Sequence, residues 1–211
     1  MENYTVVSVK SIGKKKCKVV LEGIEKVNIL SLYSSEIRRY NIIEGGIVTD
    51  VTFGEIYDVL RKRGKERALY YLKNSDKTTF QMRSKLHEGY YPDDIIEDVL
   101  SFLEKYGYID DYRYAQNYVN YYWHNKSVRQ IKNSLTIKGI SRDIVEDVIQ
   151  DSIQEDGGIE ERQIEAFCRK KIKTDTDEKQ YNKIIAALVR KGYRYEQVRN
   201  ISRRVLEEIT S

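Results

Sequence analysis

Polar and apolar residues alternate near the start of the chain in a way that predicts β-strands. The stretches "TVVSV" at 5–9 and "CKVVL" at 17–21 both follow a two-residue period. The run "GKKK" at 13–16 fits a hairpin loop between them, and "KVNIL" at 26–30 is a third expected strand. The chain therefore begins with a small β module.

The pattern changes to a helical period at "TFGE". Thr52 and Glu55 have the spacing of a capping box, in which two side chains satisfy free N–H groups at a helix start. Apolar residues then recur at helical spacing, at Ile56, Leu60, Ala68, Leu69 and Leu72. The single proline, Pro92, stands just ahead of "DDIIEDVLSFL", where its missing N–H costs a helix nothing. We expect helices over the rest of the chain.

Two seven-residue stretches nearly repeat each other. They are "DIIEDVL" at 94–100 and "DIVEDVI" at 143–149, which lie 49 residues apart. With Leu86 aligned to Leu135 the match has no gap, and a sparser third copy is found around Leu188. Either three ordinary amphipathic helices resemble each other by chance, which stays open for the third copy, or the chain repeats a structural unit.

Glycine supports the repeat. Gly139 and Gly192 both stand four residues after the reference leucine, a position typical of a helix C-cap, whereas the first copy has Tyr90 there and Gly89 one place earlier. Each copy is preceded by a further helical segment: "KERALYYLKNS", "DYRYAQNYVNYYW" and "IERQIEAFCRKKI". The pattern predicts a mainly α fold, with three tandem three-helix repeats forming an elongated, curved molecule behind the β module.

The boundaries that follow are 1–52 for the β module and 53–109, 110–157 and 158–211 for the three repeats. The longest apolar run, 184–189, is far shorter than the ~18 residues that span a bilayer. The N-terminus does not have the shape of a signal peptide. We expect a cytoplasmic monomer with no membrane partner.

Charge is distributed unevenly along the chain. Residues 158–211 carry 13 basic and 9 acidic residues, whereas 108–157 carry 6 basic and 8 acidic ones. A basic end can serve a nucleic-acid partner, although such a block is more often ordinary solvated surface. The basic residues that could contact phosphates are Arg169, Lys170, Lys171, Arg190, Lys191 and Arg194.

Residues that could carry chemistry are sparse. The acidic pairs Asp93–Asp94 and Asp110–Asp111 precede expected helices, where carboxylates satisfy free N–H groups and the helix dipole. The two histidines and two cysteines are too scattered to have the spacing of zinc ligands. We expect no enzyme activity, no metal and no cofactor.

Aromatic residues are unusually dense between Tyr106 and Trp123, where eight occur. One helix cannot turn all of these rings inward, so some are expected at a protein interface or stacked on single-stranded bases. Tyr121 and Trp123 are the rings that we expect in contact with a partner.

The runs "GYIDDYRYAQNYV" and "KSVRQIKNSLTIKGISRDIVEDVI" resemble the central signature of the bacterial RecX regulators. The resemblance covers about residues 64–211. Many family members have glycine and proline where this chain has Ser127 and Val128, and the last repeat is recognisable mainly by "LVRKGY". The resemblance implies a noncatalytic protein that binds the RecA recombinase filament and lowers its ATPase, strand-exchange and coprotease activities. Composition and periodicity do not reveal that partner.

The repeat register adds candidate contacts. Lys77, Lys126 and Lys179 each stand nine residues before a reference leucine, and stacked repeats would bring them into one row. With them we group further residues as candidate filament contacts: Arg129, Lys132, Tyr121 and Trp123. Two other functions stay open, a DNA-binding repeat protein and a helical adaptor for another protein.

Overall fold

The computed structural model describes residues 3–210, so the first two residues of the predicted β module and the last residue of the third repeat lie outside it. Two compact units divide the chain, Met1–Asp110 and Asp111–Ser211. The first contains β1 (Asn3–Gly13), β2 (Lys16–Glu22), β3 (Val27–Tyr33), α1 (Ser34–Arg39), β4 (Ile47–Thr49), α2 (Asp50–Asn74), α3 (Thr79–Glu88) and α4 (Asp93–Lys105). The second contains α5 (Asp111–Tyr122), α6 (Val128–Ile137), α7 (Arg142–Glu155), α8 (Ile159–Lys171), α9 (Glu178–Arg190) and α10 (Tyr195–Thr210).

The four strands form one antiparallel sheet in the order β3-β2-β1-β4. The three predicted strands are present, and the predicted loop is the β1–β2 hairpin. The short strand β4 and helix α1 were not predicted, because their three and six residues are too few to establish a period.

The start of the long helix α2 corrects a prediction. The N-cap is Thr49, whose side chain accepts a hydrogen bond from the Thr52 N–H, so Thr52 lies inside the first turn. Thr49 ends β4 in an extended conformation, which leaves its hydroxyl free to cap. The capping-box spacing of Thr52 and Glu55 therefore predicted an N-cap three residues after the observed one.

Sheet and helices share one hydrophobic core in the first unit. Val19, Leu21, Leu30 and Leu32 on the sheet cluster with buried residues of α2, α3 and α4. Arg63 of α2 strengthens this contact, because its guanidinium donates to the Ser31 carbonyl at 3.3 Å and pairs with Glu36.

The second unit contains two helix trios, each with its own core. Helices α5, α6 and α7 bury a cluster that includes Val119, Ile131 and Val148, and α8, α9 and α10 bury one that includes Ile164, Leu188 and Val198. Together with α2, α3 and α4 these trios are the three helical repeats.

The three inter-helix turns have the same geometry. A left-handed residue follows each reference leucine by four positions: Tyr90 at φ 57°, Gly139 at φ 80° and Gly192 at φ 100°. The residue that follows the left-handed one donates its N–H to the carbonyl of the reference leucine. The N···O distances are 3.3, 3.2 and 3.3 Å for Tyr91, Ile140 and Tyr193. This is the hydrogen bond of a Schellman motif, and its apolar residue is buried in all three turns. The turn repeats in the third copy as well.

Candidate functional site

A basic turn in the second unit is the first candidate site. Ser127 caps α6, and its hydroxyl donates to the Lys191 carbonyl at 2.6 Å in the α9–α10 turn. Next to this bond, a Cβ on Gly192 would lie 2.9 Å from both Cβ and Cδ of Arg129. The hydrogen bond and the close glycine contact hold the stem of Arg129 against the turn.

We name Arg129, Arg190, Lys191 and Arg194 the basic turn cluster. All four are exposed, and within residues 3–210 no ion pair engages Arg129, Arg190 or Arg194. The Lys191 ammonium lies 4.5 Å from the centre of the Phe167 ring. The sequence assigned Arg129 to a filament surface and the other three to nucleic acid, whereas the structure places them around one turn.

Acidic residues limit one side of this cluster. Arg194 also borders a groove whose walls carry Glu160, Glu161 and Glu196. Glu160 is engaged, since its carboxylate accepts the Val128 N–H at 3.0 Å. A polyanion would therefore contact the cluster from the side of the turn, away from these carboxylates.

The other predicted phosphate contacts lie at the end of α8, and only some of them are free to bind a partner. The Arg169 guanidinium donates to Glu165 at 2.9 Å and to Glu208 at 2.6 Å, which links α8 to α10. The hydrogen bond from Arg169 holds the pKa of the Glu165 carboxyl below its ordinary value. Lys170 and Lys171 are exposed, and no ion pair engages them in the described part of the chain.

The dense aromatic segment divides into buried and exposed rings. Trp123 is 7% exposed and belongs to the core of the second unit, so it offers a partner little surface. Tyr121 is 74% exposed, and its ring meets Tyr122 edge-on with centroids 4.7 Å apart. In the first unit Tyr106 and Tyr108 are also exposed. Tyr121 is thus the better candidate contact of the two that the sequence indicated.

Lys126 has structural partners that the sequence did not reveal. Its ammonium donates to the Tyr118 hydroxyl at 2.8 Å and lies 3.6 Å from the centre of the Tyr122 ring. Burial raises the pKa of the Tyr118 phenol, but hydrogen bonds from Lys126 and Ser134, with the charges of Lys126 and Lys138, outweigh it and leave this pKa below its ordinary value. Lys126 therefore stabilises the end of α5.

The three lysines of the predicted row do not occupy equivalent positions at their helix starts, and the row itself stays a prediction. Lys77 and Lys126 directly precede the N-caps Thr78 and Ser127. Helix α9 has 13 residues where α3 and α6 have 10, so its N-cap is Asp177 and Lys179 lies inside the first turn. The Lys77 ammonium donates to the Ser75 carbonyl at 3.2 Å. Of the remaining candidates, Lys132 pairs with Glu146.

The described part of the chain has neither a metal-binding cluster nor a membrane-spanning helix. Between Asn3 and Thr210, no group of three or more histidine, cysteine, aspartate and glutamate side chains is arranged to hold a metal ion. None of the helices in that range has the length and apolar character needed to cross a bilayer.

Comparison with known proteins decides the family. Two family models match, "RecX, first three-helix domain" over residues 65–103 and "RecX, second three-helix domain" over residues 110–149. Regulatory protein RecX of Clostridium botulinum (strain Eklund 17B / Type B) is 30% identical over 199 residues, which cover 88% of this chain and 92% of the relative. The chain belongs to the RecX family.

Other RecX proteins match over 72 to 99% of the chain. Regulatory protein RecX of Clostridium acetobutylicum is 27% identical over 220 residues, 99% of each chain. The crystal structure of RecX from Lactobacillus salivarius has a TM-score of 0.63 at 25% identity and covers 72% of this chain and 99% of that one. A second crystal structure of a regulatory protein RecX, 19% identical with a TM-score of 0.62, shares the fold over 95% of this chain.

Proposed function

We propose that this protein binds the filament of the RecA recombinase and lowers its ATPase, strand-exchange and coprotease activities. The observation that carries the proposal is the match, over 88 to 99% of the chain, to relatives named regulatory protein RecX. A regulator of this kind requires contact surfaces rather than groups that act on a substrate.

In the second unit we assign the filament contacts to Tyr121 and the basic turn cluster. Exposed tyrosine and arginine are the side chains that most often carry binding energy at protein interfaces. Tyr121 is 74% exposed at the end of α5, and its hydroxyl makes no hydrogen bond in the described structure. Three arginines of the cluster have no carboxylate partner within residues 3–210 and are free to form new ion pairs.

The test is ATP hydrolysis by RecA on single-stranded DNA, measured with increasing amounts of this protein. Filament regulation predicts a lower rate at ratios well below one protein per RecA. Raising the DNA concentration should leave that effect in place, because the protein acts on the filament and not on free DNA. An unchanged rate at every ratio would contradict the proposal and favour an adaptor for another protein.

A matched pair of variants tests the contact assignment. Tyr121→Ser should raise the concentration needed for half-inhibition at least tenfold, which corresponds to about 1.4 kcal/mol. Tyr70→Ser removes a ring that is 57% exposed on α2, outside the assigned contacts, and should inhibit like the parent. Equal inhibition by both variants would remove Tyr121 from the contact surface.

Direct DNA binding is a second candidate function, and the basic turn cluster favours it. Four exposed cations around one turn can follow a phosphate backbone. Under this alternative, inhibition needs enough protein to cover the DNA lattice, and it fades as DNA is raised in the same ATPase assay.

A further inference from the structure

A cavity in the first unit belongs to none of the surfaces above. It has a volume of about 430 Å³ and lies between strand β3 and the α3–α4 turn. Strand β3 is at the edge of the sheet, and its exposed residues Val27 and Ile29 line the cavity. Tyr90 and Pro92 line it from the turn.

A buried amide lines this cavity without a hydrogen-bond partner for its nitrogen. Asn28 is 4% exposed, and its oxygen accepts a hydrogen bond from the Tyr57 hydroxyl at 3.1 Å. Among the described residues, Asn28 Nδ2 is the buried side-chain nitrogen or oxygen with no partner. Leaving such a donor unsatisfied costs about 1–3 kcal/mol, so this amide requires an acceptor, which a water in the cavity or a ligand can supply.

The turn that lines the cavity departs from its two counterparts. Gly139 and Gly192 occupy the left-handed position in the other repeats, but here it holds Tyr90 at φ 57°. A side chain in that conformation costs roughly 1–2 kcal/mol. The Tyr90 ring lines the cavity, with the Lys18 ammonium 5.0 Å from its centre. Strain accepted at a cavity wall is a feature of binding sites.

The two walls carry opposite charges. Lys18 and Lys26 lie on the sheet side, and Asp93 and Asp94 lie at the start of α4. No ion pair joins the walls in the described structure, so the four charges are separated by more than ion-pair distance. A nucleic acid would meet repulsion from both aspartates. A peptide with side chains of both signs would complement both walls.

We propose that this cavity binds an extended peptide segment of the partner recombinase. The segment places a main-chain carbonyl against Asn28 Nδ2 and an apolar side chain against Tyr90 and Pro92. An acidic side chain faces Lys26, and a basic side chain faces the aspartates. The edge strand β3 supplies the template along which an extended segment lies. This inference rests on the proposed function, since it names RecA as the source of the peptide.

The experiment uses the full-length ¹⁵N-labelled protein and overlapping 15-residue peptides that cover the RecA sequence. The side-chain amide pair of Asn28 is assigned from its loss in Asn28→Asp, which keeps the acceptor for Tyr57 and removes the donor. At least one peptide should move the Asn28 side-chain resonances together with the backbone resonances of Val27 and Ile29. The dissociation constant follows from the same titration.

Two exposed lysines provide a matched comparison that does not depend on the folding of the Asn28 variant. Lys26→Glu reverses one of the two positive charges of the sheet wall, which brings the charge of that wall to zero, and should weaken peptide binding at least tenfold. The same variant should raise the half-inhibitory concentration in the RecA ATPase assay by a similar factor. Lys62→Glu makes the same charge change on α2, away from the cavity, and should leave both values unchanged.

The outcomes separate this inference from the proposed function. If the wild-type protein lowers the ATPase but no peptide moves the Asn28 resonances, the inference is overturned and the proposed function stands. Equal peptide binding by wild type and Lys26→Glu also overturns it. If the wild-type protein leaves the ATPase unchanged, the proposed function fails and the inference fails with it.

Discussion

Ser127 and Ser141 cap consecutive helices of the second unit, but only Ser127 makes a second hydrogen bond. The Ser127 hydroxyl accepts the Gln130 N–H and donates to the Lys191 carbonyl, whereas the Ser141 hydroxyl accepts the Ile144 N–H alone. Ser127→Ala should lower the free energy of unfolding by about 2–3 kcal/mol, since it removes a cap and leaves a carbonyl unpaired.

Ser141→Ala is the matched control, and its expected cost is about 1 kcal/mol because only the cap is lost. Urea unfolding followed by fluorescence measures both, with Trp123 as a probe because it is the single tryptophan and is buried in this unit. Equal costs for the two serines would show that the bond to Lys191 contributes nothing to stability.

Gly192 is the second residue on which the α9–α10 turn depends. At φ 100° an alanine would be strained, and its Cβ would lie 2.9 Å from Arg129 Cδ. Gly192→Ala should destabilise the second unit by about 2–3 kcal/mol, from strain and from the collision together. In an Arg129→Ala background, which removes Cγ and Cδ, we expect the cost to fall by about 1 kcal/mol.

This double-mutant cycle, also measured by urea unfolding, separates the two causes. A cost of Gly192→Ala that is the same in both backgrounds would show that Arg129 Cγ and Cδ do not collide with the new methyl group, which leaves backbone strain and the contact with the Cβ of residue 129 as the causes. Normal stability of Gly192→Ala would contradict the left-handed turn itself.

At the residue scale the sequence predicted caps better than contacts. Thr78 and Ser127 cap α3 and α6, and a hydroxyl side chain directly before a helical run is the sequence signal that predicts such a cap. The burial of Trp123 and the hydrogen-bond and ring partners of Lys126 were not predictable, since both depend on side chains that the fold brings together. The burial of the Asn28 amide was not predictable from the sequence either, because its hydrogen bond with Tyr57 joins residues of different elements.

At the scale of elements, Gln163 of helix α8 makes hydrogen bonds with both of the last two repeats, in addition to the bond between Glu160 and Val128. The Gln163 amide donates to the Trp123 carbonyl at 2.6 Å, and its oxygen accepts from the Tyr193 hydroxyl at 2.7 Å. One side chain therefore joins the end of α5 to the α9–α10 turn. This contact has no counterpart in the repeat pattern, because the pattern describes each copy and not what lies between copies.

Gln163→Met removes these hydrogen bonds while keeping the side-chain length. It should lower the free energy of unfolding of the second unit by about 2 kcal/mol, because the buried tyrosine and a carbonyl lose their partners. Gln150→Met changes an exposed glutamine on α7 and should stay within about 0.5 kcal/mol of the parent. Urea unfolding of both variants checks this, and equal stability would mean that the two repeats hold together without Gln163.

The helical elements were predictable because apolar periodicity agrees over three copies and the turn glycine agrees over two. The sequence could not set the start of α9, since "KTDTDEKQ" offers several polar caps and the structure uses Asp177. The division into residues 1–52, 53–109, 110–157 and 158–211 stays a prediction. Its first boundary runs through a unit in which sheet and helices share one core.

At the scale of the whole molecule, net charge alone says little about DNA binding. The chain carries a net charge of +4, but many of its cations are already neutralised by neighbours, as Arg162, Arg169 and Arg203 are by Asp156, Glu208 and Glu207. Three exposed arginines have no carboxylate partner in the described range: Arg129, Arg190 and Arg194. The position of the unpaired arginines should therefore affect DNA binding more than the total charge of the chain does.

The triple variant Arg129→Gln, Arg190→Gln, Arg194→Gln tests this expectation. If all three arginines contact phosphates of single-stranded DNA, the slope of log K against log salt should become less negative by about 2, at roughly 0.7 per contact. Fluorescence anisotropy of labelled DNA over a range of salt concentrations measures the slope. The control Arg162→Gln, Arg169→Gln, Arg203→Gln removes the same charge from paired positions and should leave the slope nearly unchanged, because surface ion pairs contribute little to folding and these cations are engaged. Equal slopes for the two triple variants would show that DNA responds to net charge only and would remove the basic turn cluster as a nucleic-acid site.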